Sequence, residues 1–272
     1  MRHGFVKVAA VTPDIQVANV DFNTEQICKM IDETVANGAK VVVFPELCIT
    51  GYTCQDLFTH DVLLEASKDA LLKIAEYTVD KDALIFVGLP LAVDGELYNV
   101  AAALNHGKIL GLTTKTFLPN YGEFYEMRQF YPGPDYMRYI NLGGKSVPFG
   151  PQLIYEANQM DSLVVSAEIC EDVWSVIPPS IAAAREGATV IVNTSASDET
   201  VGKDTYRKAL IEGQSARLIC GYIYANAGEG ESTTGLVFGG HNIIAENGST
   251  LAESKRFENG AIYSEFDLKR IL

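Results

Sequence analysis

The chain has 272 residues and a mass of 29.6 kDa, a length that favours one large domain over two small ones. Hydrophobic residues make up 47% of the chain and charged residues 21%, which excludes a disordered protein. The 21 basic and 35 acidic residues leave a net charge of −14, so nucleic acids and anionic membrane surfaces are disfavoured as partners.

The first half of the sequence predicts strands alternating with helices. Short apolar runs predict buried strands, and apolar residues at helical spacing predict helices. The predicted elements, in chain order, are a strand at Phe5–Val11, a helix at Asn23–Asn37 that ends at Gly38, a strand at Val41–Phe44, a helix at Leu57–Tyr77, a strand at Leu84–Gly88 and a hairpin made of Tyr98–Leu104 and Ile109–Thr114.

The second half begins with a long loop, Phe117–Tyr136, that is rich in aromatic residues and proline. Loops of this length in a globular domain are usually functional or disordered, and the aromatic content argues against disorder. After it we expect strands at Leu163–Ile169, Thr189–Val192 and Tyr222–Ala225, helices at Pro179–Glu186 and Asp204–Leu218, and β-hairpins from Thr233 to Leu268 with turns at Gly239-Gly240 and Asn247-Gly248.

Two segments of the chain resemble each other. Residues 36–46 and 185–195 both contain a helix end, Gly-Ala, a buried apolar run and then polar residues. Either αβ turns converge on this pattern, or the chain contains two related halves that form two sheets packed face to face.

Cysteine usage and hydropathy indicate the compartment. The five cysteines are odd in number and form no CxxC pair, so we expect no disulfide scaffold and a cytoplasmic location. The apolar run Val8–Val11 is too short for a signal peptide, and no segment approaches the roughly 20 apolar residues of a membrane span.

Polar residues follow several predicted strands at their carboxyl ends, where sites form in α/β sheets. Glu46, Lys115 and Cys170 each come just after such a strand, and Asn193–Ser197 follow another. A thiolate can attack a carbonyl or nitrile carbon, a carboxylate can remove the proton from the thiol, and an ammonium can stabilise the oxyanion.

Histidine, the usual base for a cysteine nucleophile, is disfavoured here. The four histidines are His3, His60, His106 and His241, and none follows a predicted core strand within a polar cluster. Glu46 is therefore the candidate base.

Taken singly, each residue also has a structural explanation: Cys170 as core filler, Glu46 as a helix cap and Lys115 as a strand-edge gatekeeper. The acidic neighbours Glu168, Glu171 and Asp172 would raise the thiol pKa.

Together these residues lie in three motifs that resemble the signature blocks of the nitrilase, or carbon–nitrogen hydrolase, superfamily. The motifs are Phe44-Pro-Glu46-Leu-Cys-Ile-Thr-Gly51-Tyr52, Lys115-Thr-Phe-Leu118-Pro119-Asn120-Tyr121 and Glu168-Ile-Cys170-Glu171-Asp172-Val-Trp174. The resemblance implies Glu46 as the general base, Lys115 as the oxyanion stabiliser and Cys170 as the nucleophile. It also implies a loop glutamate, best matched by Glu126 and less well by Glu123, and an α/β fold that is a four-layer α-β-β-α sandwich.

A narrower resemblance involves Leu118–Phe130 and Ala227–Thr234. These segments are similar to the glutaminase domains of glutamine-dependent NAD synthetases, which hydrolyse the side-chain amide of glutamine and supply ammonia to an ATP-dependent domain. The resemblance implies substrate-binding roles for Tyr52, Tyr121, Glu171, Ser197 and Lys203, the last at a position where relatives have arginine. Glu171 would meet the α-ammonium of glutamine, whereas Ser197 and Lys203 would meet its α-carboxylate.

The same resemblance sets expectations for domains, cofactors and partners. Residues 1–272 are read as a single glutaminase domain, without the Ser-Gly-Gly-x-Asp-Ser loop of a synthetase domain, so ATP and magnesium would act only in that partner. No metal cluster or organic cofactor is expected in this chain, and Gly228-Glu-Gly230 is read as a turn shaping the site wall. A homo-oligomer is expected. The alternatives are a free-standing ω-amidase or carbamoylase, and a silent module that assembles with a partner.

Overall fold

The computed structural model describes residues 4–160, 162–231 and 235–271. Its strands are β1 (Phe5–Thr12), β2 (Val41–Val43), β3 (Leu84–Val93), β4 (Glu96–Asn105), β5 (Lys108–Thr114), β6 (Arg138–Leu142), β7 (Lys145–Gly150), β8 (Ile154–Glu156), β9 (Val164–Ile169), β10 (Val190–Ser195), β11 (Gly221–Asn226), β12 (Ile243–Glu246), β13 (Ser249–Glu253) and β14 (Gly260–Asp267). The α-helices are α1 (Val20–Ala36), α2 (Asp61–Tyr77), α3 (Pro179–Arg185), α4 (Lys203–Leu218) and α5 (Leu268–Ile271), and 3-10 helices span Tyr52–Thr59, Glu126–Arg128 and Cys170–Trp174.

The strands form two sheets. The eight-stranded sheet has the order β14-β1-β2-β3-β4-β5-β7-β6, and the six-stranded sheet has the order β13-β12-β11-β10-β9-β8. Parallel strands occupy the middle of each sheet, with β1 beside β2 and β3 in one and β9, β10 and β11 together in the other. Because β4 reverses the chain and β5 reverses it again, β5 ends at the same edge of the sheet as β2 and β3.

The two sheets pack face to face through apolar side chains. Val8 and Val43 of the first sheet and Val165, Val192 and Ile223 of the second belong to one buried cluster between them. A second cluster joins the outer face of the eight-stranded sheet to α1 and α2, and a third joins the six-stranded sheet to helices α3 and α4. This arrangement confirms the predicted four-layer α-β-β-α sandwich.

The two similar segments of the sequence lie in different sheets. The first contains β2, and the second contains β10, so the apolar runs that resemble each other face one another across the inter-sheet core. This placement agrees with the interpretation in which two sheets pack face to face.

Some differences from the sequence-based prediction concern where helices begin, and others concern strands that were not predicted. The first helix begins at Val20 and not at Asn23, because the Asn19 side chain accepts a hydrogen bond from the Phe22 amide and caps it. The second begins at Asp61 because residues 57–59 belong to the preceding 3-10 helix. Strands β6 and β7, which pair at the edge of their sheet, and β8 were not predicted, since β6 and β8 are short and only one of their eight residues is buried.

The predicted run of hairpins near the carboxyl end is wrong in part. Asn247 and Gly248 do turn β12 into β13, but β14 crosses to the other sheet and pairs antiparallel with β1. Gly239 and Gly240 follow only an isolated bridge between Phe238 and Asp198. Turn residues reveal where the chain reverses, whereas the open edge of β1 decides where β14 pairs. The predicted residues 233 and 234 lie outside the described ranges.

Candidate active site

Glu46 lies just beyond β2, inside the gap between the sheets, with no exposed surface. Its backbone amide donates to the Ser195 carbonyl at 3.3 Å, which links the end of β2 to the end of β10. Gly88 makes this path possible, because a Cβ there would lie 2.3 Å from the Leu47 nitrogen. The Glu46 carboxylate accepts hydrogen bonds from the Asn99 side chain at 2.7 Å and from the Ala196 amide at 3.0 Å.

Lys115 follows β5 at the same edge, and its side chain is buried between two carboxylates. Its Nζ lies 2.6 Å from Oε1 of Glu46 and 2.7 Å from Oε1 of Glu126. Burial opposes the charge on Lys115, but the two carboxylates outweigh it and raise the pKa of the lysine well above its usual value. Lys115 is therefore a fixed cation and not an edge gatekeeper, since β5 is paired on both sides.

Cys170 occupies a sharp turn where β9 passes into the 3-10 helix Cys170–Trp174. Its φ is +42°, a left-handed conformation that is costly for a residue other than glycine. The Cys170 amide donates to Oδ1 of Asn193 at 3.1 Å, and the Asp172 carboxylate accepts from the Ile169 amide at 2.9 Å. These bonds hold the strained turn, which presents the thiol to a cavity.

The thiol of Cys170 is electrostatically coupled to the same group of charges. Burial raises its pKa, the Glu46 carboxylate raises it further, and the Lys115 ammonium partly offsets the increase. The three acidic neighbours expected to act on the thiol are engaged elsewhere. Glu168 accepts from Ser180 and Tyr222, Glu171 from Tyr121, and Asp172 from backbone amides. A neutral, buried thiol needs a nearby base to become a nucleophile.

Glu126 is the loop glutamate that the structure brings to Lys115. Burial and the nearby Glu46 carboxylate together raise its pKa to about 7, against the lowering effect of Lys115. Tyr52 donates to Oε1 of Glu126 at 2.7 Å, while Oε2 has no hydrogen-bond partner within the described residues. Glu123 is exposed and lines the cavities beside this cluster.

A cavity of about 410 Å³ opens onto Cys170. Four of the five predicted substrate-binding residues line it: Tyr121, Glu171, Ser197 and Lys203. The Tyr121 hydroxyl donates to Oε1 of Glu171 at 2.9 Å, and Lys203 forms an ion pair with Asp198. Tyr52 instead lies in an adjacent cavity of about 290 Å³ beside Glu126. A larger cavity of about 550 Å³ lies among Lys40, Asp82 and Tyr155, at the opposite ends of the strands.

Several residues of the site were missed or misread in the sequence. Asn99 sits inside an ordinary strand pattern, and no local signal marks it. The sequence predicts Asp172 only as a charge near the thiol. In the structure its carboxylate accepts from the Thr116 and Phe117 amides at 3.1 and 2.9 Å, and it thereby joins the cysteine turn to the lysine loop. Burial raises the pKa of Asp172 to about 8.

Glu231 follows the Gly228-Glu-Gly230 turn, whose residues do not line either cavity at the site. This buried carboxylate accepts from the Tyr52 amide at 2.7 Å and the Thr53 amide at 3.2 Å, at the start of the 3-10 helix Tyr52–Thr59. Burial raises its pKa to about 7. The remaining motif residues, 232–234, lie outside the described ranges.

His241 lies in a second polar cluster, just before β12 and not at the carboxyl end of a core strand. It is buried against Arg207 and Glu253, where Nδ1 lies 2.9 Å from the Arg207 guanidinium and Nε2 lies 2.8 Å from the Glu253 carboxylate. Sequence reasoning missed this cluster because its members come from α4, the segment before β12, and β13. His3 lies outside the described ranges.

Other kinds of site find no support in the part of the chain that the structure describes. Across residues 4–160, 162–231 and 235–271, no group of three or more histidine, cysteine, aspartate or glutamate side chains could hold a metal ion. None of the helices in these ranges combines the length and the apolar character needed to cross a membrane. All five cysteines are free thiols.

The site brings together a carboxylate, a lysine ammonium and a cysteine thiol between the two sheets. These are the groups that an amide- or nitrile-cleaving enzyme needs. Residues 7–271 match the family model of carbon-nitrogen hydrolases, and the chain belongs to this family. The fold agrees: a Saccharomyces cerevisiae member of branch 10 of the nitrilase superfamily superposes with a TM-score of 0.79 at 17% identity, over 98% of this chain and 92% of that one.

Within the family, the chain is similar to one group of enzymes. A glutamine-dependent NAD(+) synthetase of Mycobacterium tuberculosis is 41% identical over 267 residues, which cover 98% of this chain and 39% of the relative. The crystal structure of a glutamine-dependent NAD(+) synthetase from Cytophaga hutchinsonii superposes with a TM-score of 0.86 at 29% identity, over 96% of this chain and 43% of that one. The chain therefore spans about two fifths of the length of these relatives.

Proposed function

We propose that this chain hydrolyses the side-chain amide of glutamine and supplies the ammonia to an ATP-dependent NAD synthetase domain. The observation that carries the proposal is the buried cluster in which Lys115 bridges Glu46 and Glu126 beside the Cys170 thiol. The similarity to glutamine-dependent NAD(+) synthetases over 98% of the chain supports glutamine as the amide.

The first half of the reaction forms a thioester. Glu46 removes the proton from the Cys170 thiol as the sulfur attacks the amide carbon, and the carbonyl oxygen gains negative charge beside Lys115. Such an oxyanion donor is worth about 10²–10³ in kcat. The C–N bond then breaks, and the departing nitrogen takes the proton from Glu46 to leave as ammonia.

The second half of the reaction returns the enzyme to its starting state. Glu46 takes a proton from a water molecule that attacks the thioester carbon, and Lys115 again faces the oxyanion. The C–S bond breaks, glutamate leaves, and the sulfur regains the proton from Glu46. Glu126, oriented by Tyr52, holds Lys115 from its other side throughout.

The cavity beside Cys170 would hold the amino-acid end of glutamine. The half-buried Glu171 carboxylate, held by Tyr121, would meet the α-ammonium. Ser197 and Lys203 would meet the α-carboxylate. A lysine provides a point charge where an arginine would provide a bidentate fork, and Asp198 already neutralises part of that charge.

The remaining expectations are proposals of the same kind. The glutaminase reaction requires no cofactor, so ATP and magnesium would act only in the synthetase partner. Assembly with that partner and with further copies of the chain, in the cytoplasm, would place the source of ammonia next to the enzyme that consumes it.

Ammonia release from glutamine, ω-amides and N-carbamoyl amino acids tests the proposal. We expect glutamine to be preferred, no turnover by Cys170→Ala, and losses of at least ~10²-fold for Glu46→Ala and Lys115→Ala. Preference for another amide would favour the ω-amidase or carbamoylase alternative. Near wild-type activity of Cys170→Ala would exclude the mechanism. If iodoacetamide does not label Cys170 preferentially at neutral pH, the alternative of a catalytically silent module gains support.

A further inference from the structure

We propose that Arg207, held in place by His241, is a positioning residue that prepares Ser197 to receive the α-carboxylate of the substrate. The inference rests on the proposed function and concerns residues one layer behind the cavity wall. Arg207 lies on α4 with no exposed surface, so it cannot touch the substrate itself.

Arg207 binds the segment that follows β10 at several points. Its Nη2 donates to Oγ of Ser197 at 3.2 Å and to the Asp198 carbonyl at 2.8 Å. Its Nη1 forms an ion pair with Glu199 at 2.7 Å. One guanidinium therefore fixes three consecutive residues. Of these, Ser197 lines the cavity, and Asp198 is joined to it by an ion pair with the cavity residue Lys203.

The chemistry of the guanidinium decides what Ser197 can do. Arginine has only donors, so Oγ of Ser197 must accept in this contact. The hydroxyl hydrogen therefore points away from the guanidinium, and an anionic carboxylate in the cavity would be a strong acceptor for it. The Asn226 side chain binds both the Ser197 amide, at 2.8 Å, and the Ser197 carbonyl, at 3.0 Å, which removes its backbone freedom.

His241 sets the orientation of Arg207 from the far side. Because Arg207 can only donate, Nδ1 of His241 must be the acceptor of the 2.9 Å contact. Nε2 then carries the proton and donates to Glu253 at 2.8 Å. Burial lowers the pKa of His241, in agreement with this neutral tautomer. Nε of Arg207 already lacks a partner within the described residues, so loss of the Nδ1 acceptor would leave a second buried N–H group unpaired and allow the guanidinium to rotate.

Two substrates separate positioning from general stability. Glutamine carries the α-carboxylate, and 4-aminobutanamide carries the same amide and ammonium without it. For His241→Leu we expect the KM for glutamine to rise about tenfold, with kcat changed less than about twofold and with kcat/KM for 4-aminobutanamide unchanged. His241→Asn places an oxygen acceptor near the Nδ1 position, so it should restore the glutamine KM.

Controls make each outcome decisive. His106→Leu removes an exposed histidine from the turn between β4 and β5, and it should leave both substrates unaffected. If His241→Leu does not fold by circular dichroism, Arg207→Lys should show the same selective rise in KM, because an ammonium keeps the charge but loses the fork. Equal losses for both substrates, or no change for either, would overturn the inference. If the wild type does not prefer glutamine to 4-aminobutanamide, the proposed function itself falls.

Discussion

At the scale of single residues, the site contains more buried negative charge than its lysine can neutralise. Glu46 and Glu126 share the single ammonium of Lys115, and all three side chains are buried. Desolvation disfavours a second carboxylate in such a place. This imbalance explains why the pKa of Glu126 rises to about 7 whereas Lys115 stays charged.

The raised pKa of Glu126 leads to a prediction for the pH dependence of the reaction. Ionised Glu126 helps to hold Lys115, so kcat/KM should rise with pH through about 7 as this carboxyl loses its proton. The amide in Glu126→Gln cannot ionise, so kcat/KM of this variant should not rise near pH 7 and should be about 10²-fold lower than that of the wild type. Glu123→Gln, on the exposed part of the loop, is the control and should keep both. If kcat/KM of Glu126→Gln still rises with pH near 7, the titrating group is not Glu126.

At the scale of elements, the site depends on carboxylates that tie loops to turns. Asp172 joins the cysteine turn to the loop of Lys115, and Glu231 binds the first amides of the 3-10 helix that carries Tyr52. Both carboxylates are buried and accept from backbone N–H groups. Each bonds to segments far from it in the sequence and thereby fixes the spacing of the candidate catalytic residues.

Asp172→Asn should damage both stability and catalysis. The amide group cannot accept at both ends, so at least one of the Ile169, Thr116 and Phe117 amides loses its partner, at a cost of about 1–3 kcal/mol. We expect a lower urea midpoint and a lower kcat, because Cys170 and Lys115 are no longer tied together. Asp94→Asn removes a surface ion pair with Arg138 and should change neither. An unaltered kcat in Asp172→Asn would show that these hydrogen bonds do not determine the positions of Cys170 and Lys115.

Glu231 should make the stability of the protein depend on pH. Its folded-state pKa of about 7 lies above the ordinary value of 4.5, so the folded protein binds the proton more tightly than the unfolded chain. The free energy of unfolding should therefore fall as pH rises from about 4.5 to 7, by about 3 kcal/mol for this group.

Urea unfolding of Glu231→Gln at pH 5 and pH 8 measures this contribution. We expect the difference between the two pH values to shrink relative to the wild type, while the slope with urea stays the same. Glu229→Gln, an exposed neighbour in the same turn, should retain the wild-type difference. A difference that is the same in Glu231→Gln as in the wild type would contradict the assignment.

At the scale of the whole molecule, the inter-sheet core holds together the strand ends that form the site. Ile223 of β11 lies fully buried in that core. Ile223→Ala should lower the free energy of unfolding by about 2–5 kcal/mol, while kcat of the folded protein stays near wild type. Chemical denaturation checks the first effect and ammonia release the second. Val62→Ala, on the exposed face of α2, should change neither.

Much of this architecture could be predicted from the sequence, because apolar runs and periodicity report burial directly. The central parallel strands and the four longer helices were predicted near their observed positions, and the motifs pointed to Glu46, Lys115 and Cys170. The partner of β14 could not be predicted, since pairing with β1 depends on an edge more than 240 residues away in the chain. The short strands β6 and β8 lack the sustained apolar signal that prediction needs.

By itself, the sequence determined which residue types follow which strands, because strand and turn chemistry are local properties. Only the tertiary structure decided that Glu126 shares the lysine with Glu46, that Asp172 and Glu231 bind distant amides, and that Arg207 stands behind Ser197. Such contacts join segments from separate strands, helices and loops. Hydrogen bonds and charge interactions depend on distances within a few ångströms, and only the packing of two sheets fixes those distances.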